Sequence, residues 1–168
     1  MPNKMESKEE DYYAPVAQHL DQLFHQKGVA VHFETTANRN FGNQLKSKIS
    51  DYRHIIFAFL KDVAPDITGF VTKGNSTDFV VVEIKNEEIK LDHIYQARKY
   101  AELFDAKFAF LVSSCEIPEE IKRLSNVVNS LLSLPAYRKL FLAQFSVITN
   151  SFHEWYPENP FANDYYWR

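Results

Sequence analysis

The sequence has little cysteine and no long hydrophobic run. Cys115 is the one cysteine in 168 residues, which excludes an internal disulfide and a cysteine-based zinc cluster. No apolar stretch approaches the roughly 18 residues that a transmembrane helix needs, and the first residues do not have the pattern of a signal peptide. We therefore expect a soluble, cytoplasmic protein with no membrane segment. Internal repeats and low-complexity segments are also missing.

A strong positive charge is missing as well. The chain has 19 Lys and Arg against 22 Asp and Glu, a formal net charge of −3. A protein that binds nucleic acid usually presents a basic face, because neutralising phosphates releases counterions. The balance counts modestly against such binding unless the basic residues are gathered together. The candidates for a basic face are Lys46, Lys48, Arg53, Arg98, Lys99, Lys122 and Arg123.

The chain does have enough apolar material for a complete core. Hydrophobic residues make up 45% and aromatic residues 15% of the sequence, which is typical of a folded globular protein. The length fits a single domain over 1–168, in which we expect 1–8 to be flexible and 150–168 to form an aromatic tail. The tail could cover the core of the chain, form a dimer contact or stack on bases.

Helical and strand patterns alternate along the chain. Helices are predicted at Asp11–Gln26, Gln44–Leu60, Leu91–Phe104 and from Pro118 to Pro135, and strands at Val29–Thr36, Ile67–Thr72, Asp78–Ile84 and Lys107–Ser113. Pro15 requires the first helix to start near Asp11 or to kink. The apolar segment 55–60 could be a strand instead of a helix, and 137–149 fits either.

The most informative segment is a hairpin that ends in charged residues. Its turn is centred on Gly74-Asn75, so paired residues should have numbers that sum to about 149. This register sets Asp66 level with Glu83. Because strand side chains alternate between faces, Glu83 and Lys85 point to one side and Ile84 to the other. Two carboxylates and an ammonium group then meet at the end of a sheet, a suitable place for a divalent metal and an activated water.

The triplet Glu-x-Lys alone is weak evidence, since it occurs four times here and about once by chance in a chain this long. Context separates Glu83 from the triplets that begin at Glu6, Glu88 and Glu120. Only Glu83 follows a β-branched run and has a Pro-Asp pair one hairpin upstream. The structural alternative is an edge strand whose terminal charges face solvent.

Pro65-Asp66 followed by Glu83-Ile84-Lys85 resembles the motif of the PD-(D/E)xK nuclease superfamily, whose fold is that of restriction endonucleases. The resemblance extends from Glu9 to Ser113 and does not cover the residues that follow. It implies an α/β fold with a restriction-endonuclease-like three-layer core, in which helices flank a central mixed sheet of four to five strands in αβββαβ order. It also implies a helical insertion before the hairpin.

The resemblance implies a metal site as well. Asp66, Glu83 and the backbone carbonyl of Ile84 would bind Mg²⁺, which prefers oxygen ligands, with Mn²⁺ as a substitute. Superfamily members often add a Glu from the first helix, and Glu9 is the candidate, with Glu10 as its alternative. An acid favoured by the helix dipole explains Glu9 equally well.

The remaining roles implied by the resemblance are catalytic. Lys85 would position or deprotonate the attacking water, or neutralise developing charge, while Gln96 and Tyr100 on the next helix would support the site. The implied activity is hydrolysis of phosphodiester bonds by a Mg²⁺-dependent endodeoxyribonuclease, with DNA as partner; a homodimer would suit double-strand cleavage. Two alternatives stay open: a nuclease-like domain that binds nucleic acid or protein without cutting, and an interaction protein whose hairpin charges are coincidental.

Overall fold

The structure, a computed structural model, describes residues 7–168; the segment 1–6 of the stretch expected to be flexible lies outside the described residues. Within 7–168 the fold is α/β, with seven strands in a mixed sheet flanked by helices. The strands are β1 (Val31–Thr35), β2 (Ile67–Lys73), β3 (Ser76–Lys85), β4 (Phe108–Ser113), β5 (Ser133–Leu134), β6 (Arg138–Ser146) and β7 (Ser151–Tyr156). The α-helices are α1 (Tyr13–Gln26), α2 (Asn43–Ser47), α3 (Leu91–Phe104) and α4 (Glu119–Val127), and 3-10 helices span Glu9–Tyr12, Asp51–Phe59, Pro160–Ala162 and Asp164–Trp167.

The strand order brings three parallel strands to the centre of the sheet. The order is β1-β2-β3-β4-β6-β5, and β7 also pairs with β6. β2 runs antiparallel to β1 and β3, whereas β4 is parallel to both β3 and β6. The carboxyl ends of β3, β4 and β6 therefore meet at one edge of the sheet, where open α/β sheets place their sites.

The hairpin of β2 and β3 has the predicted register. Ile67 lies opposite Val82 and Lys73 lies opposite Ser76, so the paired numbers sum to 149. The two-residue turn begins at Gly74, whose φ is +55°, a conformation that glycine adopts without a steric cost. The prediction of the pairing is confirmed.

Alternation along β3 divides the core between the two faces of the sheet. Its even-numbered residues at 80–84 pack in the cluster that includes α1, and Phe79 and Val81 pack in the cluster that includes α3. Glu83 and Lys85 have the parity of Val81, so their side chains lie on the α3 side.

Helix α1 covers the other face with a regular apolar stripe. Val16, Leu20 and Phe24 recur every fourth residue and are fully buried, and full burial of such a side chain contributes about 1.5–3 kcal/mol. The 3-10 helix Glu9–Tyr12 precedes α1, which begins two residues later than predicted. Pro15 is consequently in the first turn, where a helix needs no hydrogen bond from its nitrogen.

The helix predicted at Gln44–Leu60 is broken in two. A short α2 is followed by a 3-10 helix, and the strand alternative for 55–60 is wrong. His54 explains the break, because its Nε2 lies 3.1 Å from the Lys46 carbonyl oxygen and 2.9 Å from that of Ile49. The imidazole satisfies carbonyls that a continuous helix would have used.

The C-terminal third differs most from prediction. The helix predicted from Pro118 to Pro135 ends at Val127, and short β5 follows. The segment 137–149, whose sequence fits either a helix or a strand, is mainly β6. The tail adds β7, so the sheet has more than the four to five strands expected. β6 is an inner strand with an almost fully buried stretch, so it lacks the alternation that identifies strands.

The aromatic tail covers the core between α1 and the sheet. Trp167 packs against Phe24 and Phe108, with ring centroids 5.4 and 5.0 Å apart. Phe161 is buried against Phe24 at 5.4 Å. Tyr165, in contrast, is 61% exposed. The first of the three interpretations of the tail is therefore confirmed for most of its rings.

Cys115 follows β4 in a half-buried position, with Sγ 3.8 Å from Ser114 Oγ. None of the helices within 7–168 combines the length and the apolar character that crossing a membrane requires.

Candidate active site

Two buried carboxylates meet where β2 begins and β3 ends. Asp66 immediately precedes β2 and is 5% exposed, and Glu83 is 4% exposed. The hairpin register, extended by one step, sets them opposite one another. Acidic side chains are almost never this buried without a partner, so the pair marks a candidate site.

Asp66 is held by two hydrogen bonds. Ile84 N donates to Asp66 Oδ2 at 2.7 Å, and the Tyr13 hydroxyl donates to Asp66 Oδ1 at 3.0 Å. The backbone ladder between the strands ends at the Ile67–Val82 pair. The Asp66 side chain thus replaces a backbone acceptor for the N–H of Ile84, at the point where the two strands separate.

Thr36 fixes the backbone that carries Asp66. Its hydroxyl donates to the Pro65 carbonyl at 2.6 Å and lies 2.8 Å from Thr68 Oγ1, and its N–H donates to the Asp66 carbonyl at 2.9 Å. Thr36 and Thr68 are both fully buried. The end of β1 therefore positions the beginning of β2.

We expect Thr36→Val to lower the free energy of unfolding by about 1–3 kcal/mol, because it leaves buried oxygens of Pro65 and Thr68 without their shared partner. Urea denaturation measures the change. Thr35→Val is the matched control, since Thr35 is exposed and its substitution should change stability by about 0.5 kcal/mol at most. Equal effects in the two variants would contradict the assigned role of Thr36.

Glu83 is a strongly perturbed carboxyl group. Burial, followed by hydrogen bonding to Asp66 and the negative charge of Asp66, raises the pKa of Glu83 to about 10, while Lys85 acts in the opposite direction. Lys85 Nζ lies 3.7 Å from Glu83 Oε1, and its side chain is 16% exposed. Within residues 7–168 no hydrogen-bond donor meets the buried Glu83 Oε2. Without a bound metal ion, Asp66 and Glu83 together therefore favour holding one proton.

Glu9 and Tyr13 approach the pair from the start of α1. Glu9 lies on the 3-10 helix that precedes α1, and burial and then the negative charge of Asp66 raise its pKa, while the charge of Lys85 lowers it. Glu10, the alternative to Glu9, is exposed. Burial and then the charge of Asp66 raise the pKa of Tyr13, so its hydroxyl stays a neutral donor.

Gln96 and Tyr100 form the α3 side of the site. Gln96 Nε2 donates to the Tyr100 hydroxyl at 3.1 Å, and Tyr100 is 1% exposed. Burial raises the pKa of Tyr100 to about 12, with Gln96 opposing it and the charges of Glu83 and Asp66 adding to it. Tyr100 packs in the same cluster as Val81, so it lies on the face of the sheet to which Glu83 points. His93, one turn before Gln96, accepts through Nδ1 from Lys90 N at 2.9 Å, and its Nε2 lies 3.1 Å from Glu87 Oε1.

The donor set fits a divalent cation. Within 7–168 no three Asp, Glu, His or Cys side chains are grouped so that they could hold a metal ion. Mg²⁺, however, commonly uses only one or two carboxylates and keeps several waters. Asp66, Glu83 and the Ile84 carbonyl meet that requirement, and the unpartnered Glu83 Oε2 is an available ligand atom.

Sequence reasoning missed two residues of the site, Tyr13 and Thr36. Tyr13 follows Glu9 by four residues, the spacing that places two side chains on one helical face, so this signal was present. Thr36 had no comparable signal, because its partners lie 29 and 32 residues away in the sequence.

Comparison of the chain with protein-family models, with curated proteins and with solved structures gave no match.

Proposed function

We propose that this chain is a metal-dependent nuclease that hydrolyses phosphodiester bonds in DNA. The observation that carries the proposal is the buried pair Asp66 and Glu83 beside Lys85, whose ammonium lies 3.7 Å from Glu83. Without a bound metal ion, the burial of two adjacent carboxyl groups raises the pKa of one of them, Glu83. A divalent cation removes that penalty, so the arrangement has a physical purpose as a metal site.

The order of the elements supports a restriction-endonuclease-like core of the PD-(D/E)xK type. Helix α1, strands β1 to β3, helix α3 and strand β4 follow one another in αβββαβ order. The short helices at 43–47 and 51–59 form an insertion before the hairpin. Separate buried clusters on the two faces of the sheet are compatible with three layers.

Each residue of the cluster has a defined task in this proposal. Bound to Asp66, Glu83 and the Ile84 carbonyl, Mg²⁺ or Mn²⁺ would supply a Lewis acid next to the scissile phosphate. Glu9 would add an accessory carboxylate.

Lys85 would orient the attacking water and stabilise negative charge on the phosphoryl oxygens as it develops. The hydrogen bond between Gln96 and Tyr100 fixes both side chains on the flank of α3. They would hold the cluster and the DNA backbone in position.

Several basic residues lie on the α3 side, where a DNA backbone would pass. Lys99 Nζ lies over the ring of Tyr100 at 5.1 Å, and Lys48 Nζ lies over Phe70 at 5.5 Å. Lys122 is less suitable, because Glu154 pairs with it at 2.6 Å. A local basic surface would compensate for the net charge of −3.

The test is a cleavage assay on the purified chain with supercoiled plasmid, single-stranded DNA and branched DNA, in millimolar Mg²⁺ or Mn²⁺. We expect at least one substrate to be cut and EDTA to stop the reaction. Lys85→Ala should reduce the rate by about 10²- to 10³-fold, whereas the matched variant Lys90→Ala, at an exposed lysine of a second Glu-x-Lys triplet, should cut normally. Failure to cut any substrate with either metal would contradict the proposal, and retention of DNA without cutting would favour the non-catalytic alternative.

We also expect Mg²⁺ to raise the melting temperature, because a ligand that binds only the native state stabilises it. At about tenfold over the Kd the gain is about 1.4 kcal/mol, or roughly 3–6 °C for a chain of this size. Differential scanning fluorimetry measures the shift, with NaCl of equal ionic strength as control. Identical curves in Mg²⁺ and NaCl would count against the metal site.

A further inference from the structure

The end of the sheet opposite to the carboxylates has a cavity, which we call the distal pocket. It has a volume of about 440 Å³, within the range of about 300–1,000 Å³ typical of small-molecule sites. It lies where β4 and β6 begin, five residues along β3 from Glu83, or roughly 17 Å at about 3.3 Å per residue. The side chains that matter here are Lys107, Tyr137, Arg138, Lys139, Tyr165 and Arg168.

The distal pocket is rich in cations. Its lining includes four Lys and Arg side chains and one carboxylate, that of Asp78. Three of the cations form partly exposed ion pairs: Lys107 with Asp78 at 3.5 Å, Arg138 with Asp105 at 3.0 Å and Lys139 with Glu158 at 3.2 Å. Such exposed pairs contribute little to stability, so a phosphate can compete with the carboxylates for these cations at little cost to the fold.

Donor groups of the arginines remain for a ligand. Both bonds from Arg138 to Asp105 are made by Nη1, and a guanidinium has five N–H donors in a fixed fork. Arg168 is in none of the ion pairs formed by the described residues. Guanidinium groups in this state suit bidentate binding of phosphate.

Two tyrosines with solvent-exposed rings border the distal pocket. Tyr137 is 93% exposed and Tyr165 is 61% exposed. Tyr137 and the preceding Ala136 both have left-handed backbone angles, with φ of 60° and 62°. Glycine and asparagine are favoured at such turn positions, and other residues adopt them at a cost. A large aromatic ring is therefore held here against the local backbone preference, which is typical of functional positions.

We propose that the distal pocket binds a nucleotide. Its phosphate would contact Arg138, Lys139 and Arg168, and its base would stack on Tyr137, as aromatic platforms do for bases in general. The nucleotide could be a free mononucleotide or one unit of a single strand that crosses this face. This site does not depend on the proposed nuclease activity, because it shares no residue with the carboxylate cluster.

The test is isothermal titration calorimetry of the full chain in EDTA, which prevents metal-dependent cleavage. The probes are AMP, inorganic pyrophosphate and a single-stranded oligothymidine. Binding of AMP identifies a free nucleotide as ligand, and binding of the oligothymidine alone identifies a strand when Tyr137→Asn weakens it. Oligothymidine binding that is unchanged in that variant belongs to the basic residues of the α3 side and overturns the proposal. Binding of neither overturns the proposal, as does pyrophosphate binding as tightly as AMP, which would leave the tyrosines without a role.

Tyr137→Asn is the decisive variant, because asparagine tolerates the left-handed backbone and removes only the ring. We expect it to weaken binding roughly tenfold, and Arg168→Gln to weaken it as well. Tyr52→Asn is the matched control, since Tyr52 is 83% exposed on the 3-10 helix far along the chain. Unchanged affinity in Tyr137→Asn, or an equal loss in Tyr52→Asn, overturns the assignment.

Discussion

Asp66→Ala is expected to abolish DNA cleavage and to destabilise the fold, whereas Asp66→Asn should abolish cleavage alone. Alanine removes a proposed metal ligand and leaves the buried N–H of Ile84 without the acceptor that it has at 2.7 Å. An unsatisfied buried donor costs about 1–3 kcal/mol. Asparagine keeps one oxygen for Ile84, and its amide can donate to the Tyr13 hydroxyl.

The two properties are measured separately. Both variants should cut at least about 100-fold more slowly than the wild type. Both substitutions remove a negative charge next to Glu83, but only alanine removes the hydrogen bonds to Ile84 N and the Tyr13 hydroxyl. Urea denaturation should therefore give a lower free energy of unfolding for alanine only. Wild-type cleavage by Asp66→Asn would exclude Asp66 as a ligand, and equal destabilisation by both variants would show that the charge itself is structural.

Glu83→Gln is expected to stabilise the metal-free protein, and more so as the pH rises. Because the pKa of Glu83 is raised to about 10 in the fold, its proton stabilises the native state fully below the unfolded pKa of about 4.3. That contribution is lost as pH rises towards 10. Glutamine has no proton to lose, so the difference between the two proteins should be small at pH 5 and large at pH 9.

The measurement is the melting temperature in EDTA between pH 5 and pH 9. A gain of a few kcal/mol corresponds to roughly 5–10 °C for a chain of this size. Added Mg²⁺ should restore the wild type and leave Glu83→Gln unchanged. Glu88→Gln, at an exposed carboxylate, is the control and should follow the wild type at every pH. A pH-independent difference would contradict the assigned burial of charge.

The hairpin and α3 could be predicted because short-range physics determines them. The turn at Gly74-Asn75 sets the pairing of β2 with β3 within a few residues. The stripe that includes Ile94, Ala97 and Ala101 defines α3 from Leu91 to Phe104, the range predicted. Each pattern contains the information for its own element.

Long-range contacts decided the parts that could not be predicted. The break after α2 depends on where the His54 ring finds two carbonyls. β6 is stabilised by pairing with β4, more than 25 residues away in the sequence, and its buried residues have no period that separates strand from helix. Neither interaction is visible in a local window.

The residues of the candidate site also fall into a predictable group and a group that only the tertiary fold reveals. Asp66, Glu83 and Lys85 could be placed together because one hairpin carries all three, and the structure brings them together. Their roles in catalysis stay predictions. Tyr13 and Thr36 reach Asp66 from other elements, so only the tertiary fold reveals them.

The packing of the tail has a spectroscopic consequence. Both tryptophans of the chain, Trp155 and Trp167, contact the ring of Phe161, at 5.6 and 5.4 Å. Tryptophan fluorescence should therefore change in one step when the aromatic cluster around Phe161 unfolds. An unfolding curve measured by this fluorescence reports on the α1 side of the molecule. Events among the carboxylates on the other side need a different probe, such as a fluorophore attached near α3.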